Sequence, residues 1–231
     1  MMHFKGKKMK LKEEKFWMIW ILLGAFCLLS AVSLLSWYTK VRMLPENVGR
    51  KLSEEEQESI ISNNSSLTQY VQLSPNATFP REDTVKKITI HHMAGDISLE
   101  RLGEVFANPG RGASANYAID VEGDVALYVE ECNRAWTSSN SDNDNMAVTI
   151  EVANDENGGE WHVSDESYNT LINLCVDICE RNGIDELIWT GDEEGTLTIH
   201  KFFNAETECP GPYLEELMPQ IAEEVTQRLK K

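Results

Sequence analysis

The side chains in this sequence that could hold a metal lie far apart along the chain. Five histidines occur, His3, His91, His92, His162 and His200, and Cys209 stands nine residues after His200, just before Pro210, Gly211 and Pro212. Two imidazoles and a thiolate suit a zinc ion. Three protein ligands with an open fourth position is the catalytic pattern, whereas four ligands is the structural one. Spacing alone does not separate such a site from three ordinary polar or core residues, so the elements that carry them matter.

KKITIHH (86–92) alternates, with Ile88 and Ile90 on one face and Thr89 and His91 on the other, which predicts a strand with an apolar underside. His92 falls on the face opposite His91, as a packing residue and not a ligand. MAVTIEVAN (146–154) predicts a second strand, placing Val148, Ile150 and Val152 on one side and Thr149 and Glu151 on the other. TLTIH ends on His200. NYAIDVEGDVALYVE (116–130) is a hairpin signature with its turn at Glu122-Gly123. SLERLGEVF (98–106) has helical spacing, and LIWTG (187–191) reads as a short strand. Ser164 caps a helix that Gly183 stops, with Cys175 and Cys179 on its apolar face as free thiols, and residues 212–231 close the chain as an amphipathic helix. Strands alternating with helices predict an α/β domain with a central sheet.

The net charge of −17 argues against a nucleic-acid binder and against a domain that lies on anionic lipid. That charge is unevenly spread. Residues 1–43 carry eight Lys or Arg and two Glu, and the other 188 residues carry 13 basic and 36 acidic side chains. Between the two lies FWMIWILLGAFCLLSAVSLLSWY (16–38), 23 residues without a charge. A membrane core needs about 20 apolar residues of helix. A cleaved signal peptide usually has an apolar run of roughly 7–15 residues, so this one favours a retained anchor; cleavage would leave a secreted protein. Six lysines precede the run, which places the N-terminus on the cytoplasmic side and the rest outside. The expected organisation is a basic leader (1–15), a single transmembrane anchor (16–38), a polar stalk (39–84) and one globular domain (85–231), a monomer in the cell membrane.

Four blocks, ITIHHMAG, ANYAIDVEGDVALYVEE, NRAWTSSNSDNDNMAVTIEVAN and HKFFNAETECPGPYL, follow one another in an order that resembles the zinc-dependent type-2 N-acetylmuramoyl-L-alanine amidases. The resemblance covers about residues 73–231. It implies a central mixed β-sheet flanked by helices, with Zn²⁺ held by His91, His200 and Cys209. Glu151 matches the acidic residue beside the metal and Tyr117 a tyrosine near the attacking water. Thr207 falls where members carry Lys or Thr. The implied substrate is peptidoglycan, cut between N-acetylmuramic acid and L-alanine, with Glu151 moving the proton and Tyr117 or Thr207 steadying the oxyanion. Trp136 and Trp161 are expected to line the groove, and Asn116 and Arg134 to touch the stem peptide. The alternative is a module of the same fold that binds muropeptide without cutting it; a zinc peptidase acting on another amide shares the same metal chemistry. Strand parity groups Tyr117 with Ile119, so its implied role requires a bulge or a strand end.

Overall fold

The computed structural model describes residues 17, 20–30 and 44–231. Residues 20–30 are helical, and Trp20, Ile21, Leu22, Leu23, Phe26, Leu28 and Leu29 are exposed. The rest of the 16–38 anchor, apart from Trp17, lies outside the described residues, as does the 1–15 leader. Among the described residues no helix is long and apolar enough to cross a membrane.

Residues 45–231 form one compact unit. Its strands are β1 (Thr68–Val71), β2 (Ala77–Thr78), β3 (Lys87–His92), β4 (Tyr117–Ile119), β5 (Val125–Leu127), β6 (Arg134–Ala135), β7 (Ala147–Val152) and β8 (Leu197–Ile199). Its helices are α1 (Glu54–Ser62), α2 (Leu99–Ala107), α3 (Ser141–Met146), α4 (Asp165–Asn182) and α5 (Pro212–Leu229). Six strands make a mixed sheet in the order β1-β5-β4-β7-β3-β8, and β2 pairs with β6 apart from it. β4, β7, β3 and β8 are parallel; β5 is antiparallel to β4 and parallel to β1.

The alternation read from the sequence sets the two faces. Ile88, Ile90, Val148, Ile150, Leu197 and Ile199 are fully buried in one core with Leu171, Leu174 and Ile178 of α4 and Leu214, Met218 and Ile221 of α5. The opposite face is covered at one end by α2, where Leu99, Leu102 and Phe106 meet Ala118, Ala126 and Tyr128. Between α2 and β8 that face carries buried threonines instead. Thr89 bonds Thr198 side chain to side chain at 2.9 Å, and Thr149 bonds Thr137 at 2.8 Å. Helix ends follow local chemistry. Ser164 Oγ accepts from the Ser167 N–H, and Gly183 at φ 67° closes α4 in the left-handed conformation that glycine tolerates.

Two expectations are corrected. The polar stalk is not a spacer over residues 45–84: α1 packs on the main core through Ile60, Leu52 joins it, and β1 adds to the sheet beside β5 with Val71 buried. The sparse apolar residues of this polar stretch are the ones the fold buries. LIWTG is not a strand. Leu197 N–H donates to the Ile188 carbonyl at 3.1 Å and Thr196 Oγ1 accepts from Ile188 N–H at 2.8 Å, so the segment runs alongside β8 without entering the ladder. The hairpin stands, with Gly123 at φ 85° in its turn.

Candidate active site

His91 and Glu151 are register partners at the carboxyl ends of adjacent parallel strands, and Ala118 of β4 lies level with Glu151 on the other side. This is the end of a parallel sheet at which ligands commonly sit. β8 ends at Ile199, and its next residue, His200, opens a short 3₁₀ turn. The His91 and His200 rings lie 4.6 Å apart, centroid to centroid. The loop after the turn folds back through Lys201 N–H to the Cys209 carbonyl at 3.1 Å, and Thr207 Oγ1 accepts from the Cys209 N–H at 3.2 Å. One ligand atom from each of His91, His200 and Cys209 then lies within 4.8 Å of the others.

The donor set fits a metal. Nε2 of His91 and Nε2 of His200 are buried and have no hydrogen-bond partner, a costly arrangement unless something else satisfies them. Burial, with His200 and His92 adding to it, holds the His91 imidazole well below its usual range, and burial lowers His200 as well. Both rings are therefore neutral donors at pH 7. Burial and the Glu151 charge push the Cys209 thiol well above its usual value, with the His92 N–H opposing. A cation at this point would compensate the thiolate that burial disfavours. Glu151 is partly exposed on the same face, and burial still pushes its carboxyl up to about 8, with Arg111 weakly opposing.

The remaining expected site residues divide. Trp161 lies at the site, its ring meeting His92 edge-on at 5.2 Å. Arg134 and Trp136 line an open groove of about 300 Å³ with Gly112, Ala113 and Thr137. Both are fastened to Thr78, whose Oγ1 accepts from Arg134 Nη2 at 2.7 Å and from Trp136 Nε1 at 3.0 Å.

Tyr117 and Asn116 are corrections. Tyr117 shares the face of Ile90 and Ile150, opposite His91, and is fully buried in the main core. Its hydroxyl donates to Glu131 Oε1 at 2.7 Å and accepts from the Ser65 N–H at 3.0 Å. No bulge turns it toward the ligands. Asn116 is fully buried: its amide donates to the Val129 carbonyl at 3.0 Å and its Oδ1 accepts from the Thr149 N–H at 3.0 Å. It satisfies strand ends and has no surface for a substrate.

Sequence reasoning passed over Arg111, whose charge reaches Glu151, and Asn154, a buried polar residue three positions after Glu151. An amide side chain just past the end of the strand that carries Glu151 was the available signal for Asn154.

A family model for N-acetylmuramoyl-L-alanine amidase matches residues 81–212, more than half of the chain. The chain belongs to this amidase family. The match spans all three candidate ligands and Glu151, and an amidase of this family hydrolyses an amide of peptidoglycan. No curated protein sequence matches the amidase. Among solved structures its fold resembles PlyL, at 15% identity and TM-score 0.54, over 68% of this chain and 95% of that one. It also resembles the PlyG catalytic domain, at 16% identity and TM-score 0.51, over 68% and 93%. The Staphylococcus aureus hydrolase AmiA, in a structure with its ligand, matches at 13% identity and TM-score 0.51, over 78% and 92%.

Proposed function

We propose that this amidase is a membrane-anchored zinc enzyme that cleaves the amide between N-acetylmuramic acid and L-alanine of peptidoglycan. The observation that carries the metal is the pair of partnerless buried imidazole nitrogens converging with a cysteine at the ends of β3 and β8. When bound, zinc supplies a Lewis acid that polarises the scissile carbonyl and makes water a nucleophile near neutral pH. His91, His200 and Cys209 hold it. Burial raises the Glu151 carboxyl only in the metal-free site, and a bound cation would favour its ionised form; on the same face and one strand away, Glu151 would then accept the proton of the attacking water and return it to the leaving amine of L-alanine. Thr207 accepts from the Cys209 N–H, so its own O–H is left to donate toward a developing oxyanion. Trp161 forms one wall of the site. Arg134 and Trp136 offer a cation and an aromatic face to the stem peptide along the neighbouring groove. Anchoring is supported by the uncharged run 16–38 and by the exposed apolar side chains of helical residues 20–30. The enzyme acts as a monomer, outside the cytoplasmic membrane.

The test is digestion of purified peptidoglycan by the full chain in detergent, with and without a chelator. Mass spectrometry should find stem peptides with a free N-terminal L-alanine, and these should vanish on chelation. Retained binding with no released peptide from the zinc-loaded protein would replace this reading with a non-catalytic binding module.

A further inference from the structure

We propose that Asn154 is a positioning residue for the cation site, using two arms of one side-chain amide to fix the turn that carries Cys209. The inference rests on the zinc reading above. Asn154 is fully buried, two residues past the end of β7. Its Oδ1 accepts from the Gly95 N–H at 3.2 Å and meets His92 Nδ1 at 3.1 Å, while its Nδ2 donates to the Trp161 carbonyl at 2.7 Å. A backbone N–H only donates and a carbonyl only accepts, so these neighbours settle which way the amide points. Oδ1 must then be the acceptor for His92, and His92 carries its proton on Nδ1.

The first arm runs through His92. With its ring pinned, the backbone N–H of His92 stands 3.3 Å from Cys209 Sγ, donating to the ligand atom itself. This is the same residue whose position fixes the end of β3 just after His91. The second arm runs through Trp161. Its φ of 59° lies in the left-handed region, where a tryptophan is rare. Its N–H bonds to the Gly158 carbonyl at 3.2 Å and its own carbonyl bonds to Asn154. In this pose its Cβ lies only 2.9 Å from where a side chain on Gly211 would begin, and its ring edge meets His92. Trp161 is thus wedged between His92 and Gly211, two residues beyond Cys209. Both arms end on the same turn, one at the sulfur and one behind it. Thr207 and Lys201 bond only the backbone of Cys209. Asn154 governs the side that faces β3.

Cobalt(II) substitution reads this directly. The full chain in detergent, stripped of metal, is titrated with Co²⁺ while the thiolate-to-cobalt charge-transfer band and the ligand-field bands are recorded. The unaltered protein should give a tetrahedral thiolate spectrum; no such spectrum would sink the metal reading itself. Asn154→Ala should weaken Co²⁺ binding by roughly 10–100-fold and alter the ligand-field bands. Asn154→Asp keeps both accepting bonds and cannot donate to Trp161, so it should fall between the two, and it decides the matter if Asn154→Ala does not fold. In Asn154→Ala/His92→Ala the two losses should combine to less than their sum. Wild-type Co²⁺ affinity and spectrum in the Asn154 variants, with only a lower melting temperature, would overturn the proposal, as would full additivity in the double variant.

Discussion

Tyr117→Phe separates the role implied by resemblance from the one assigned by structure. The substitution deletes only a hydroxyl. That hydroxyl donates to Glu131, whose carboxylate also accepts from Arg181 Nη2 at 2.6 Å and Asn182 Nδ2 at 2.8 Å, so Glu131 keeps two of its three partners. Ser65, fully buried, has its N–H left without the phenol oxygen it donates to. An unsatisfied buried donor costs about 1–3 kcal/mol, and because Glu131 keeps Arg181 and Asn182 its lost bond adds little, so a net loss of about 2 kcal/mol follows. For a domain of this size that lowers Tm by roughly 4–8 °C. Burial holds the phenol well above its usual range, which also makes it a poor acid. Thermal melts and peptidoglycan turnover, measured on the same preparation, should show the drop in Tm with kcat changed by less than about 2-fold, against the roughly 10²–10³-fold typical of a lost oxyanion donor. An unchanged Tm with a fall in kcat of about 10-fold or more would refute the reasoning and return Tyr117 to the reaction centre.

Two further outcomes follow from the same structure. A fragment of residues 85–231 should fail to fold where 45–231 succeeds, judged by circular dichroism and gel filtration. It lacks the buried side chains of Leu52, Ile60, Val71 and Leu73, together about 6–12 kcal/mol, which rivals the whole stability of a typical domain. In the chelated protein, Glu151 takes up a proton on folding, because its carboxyl is raised to about 8 while the unfolded one is near 4.3. Apo stability should therefore fall as pH rises from about 5 to 8, and Glu151→Gln should remove that part of the slope in denaturant titrations at several pH values; an identical slope in the variant would discount the raised carboxyl.

Much of the site was legible because strand periodicity is local. Alternation alone put His91 opposite Ile88 and Ile90, and Glu151 beside Thr149, and the sheet register then set His91 and Glu151 side by side. The same parity rule placed Tyr117 with Ile119, and the structure follows parity over resemblance. What stayed hidden depended on distant partners. Leu52, Ile60 and Val71 are too sparse among charged and polar neighbours to announce a core, and only pairing of β1 with β5 buries the strand. Leu187–Gly191 has a strand's composition, yet makes a single ladder-like bond to β8, with Trp189 turned onto Phe202 at 5.3 Å. Asn116 looked like a contact residue because its polarity was visible and its strand-end partners were not.

The segment Leu187–Gly191 matters for how this protein behaves among its copies. β8, which delivers His200, is also where the sheet ends, and an open edge beside a reactive site would invite strand-by-strand pairing. Here the outer side of β8 is three residues long and already engaged by Ile188, while the far edge, β1, is four residues long with its register shifted between Thr68 and Tyr70. Neither rim offers a straight template for a foreign strand. The sheet can stop at its own active site without becoming a seed for aggregation.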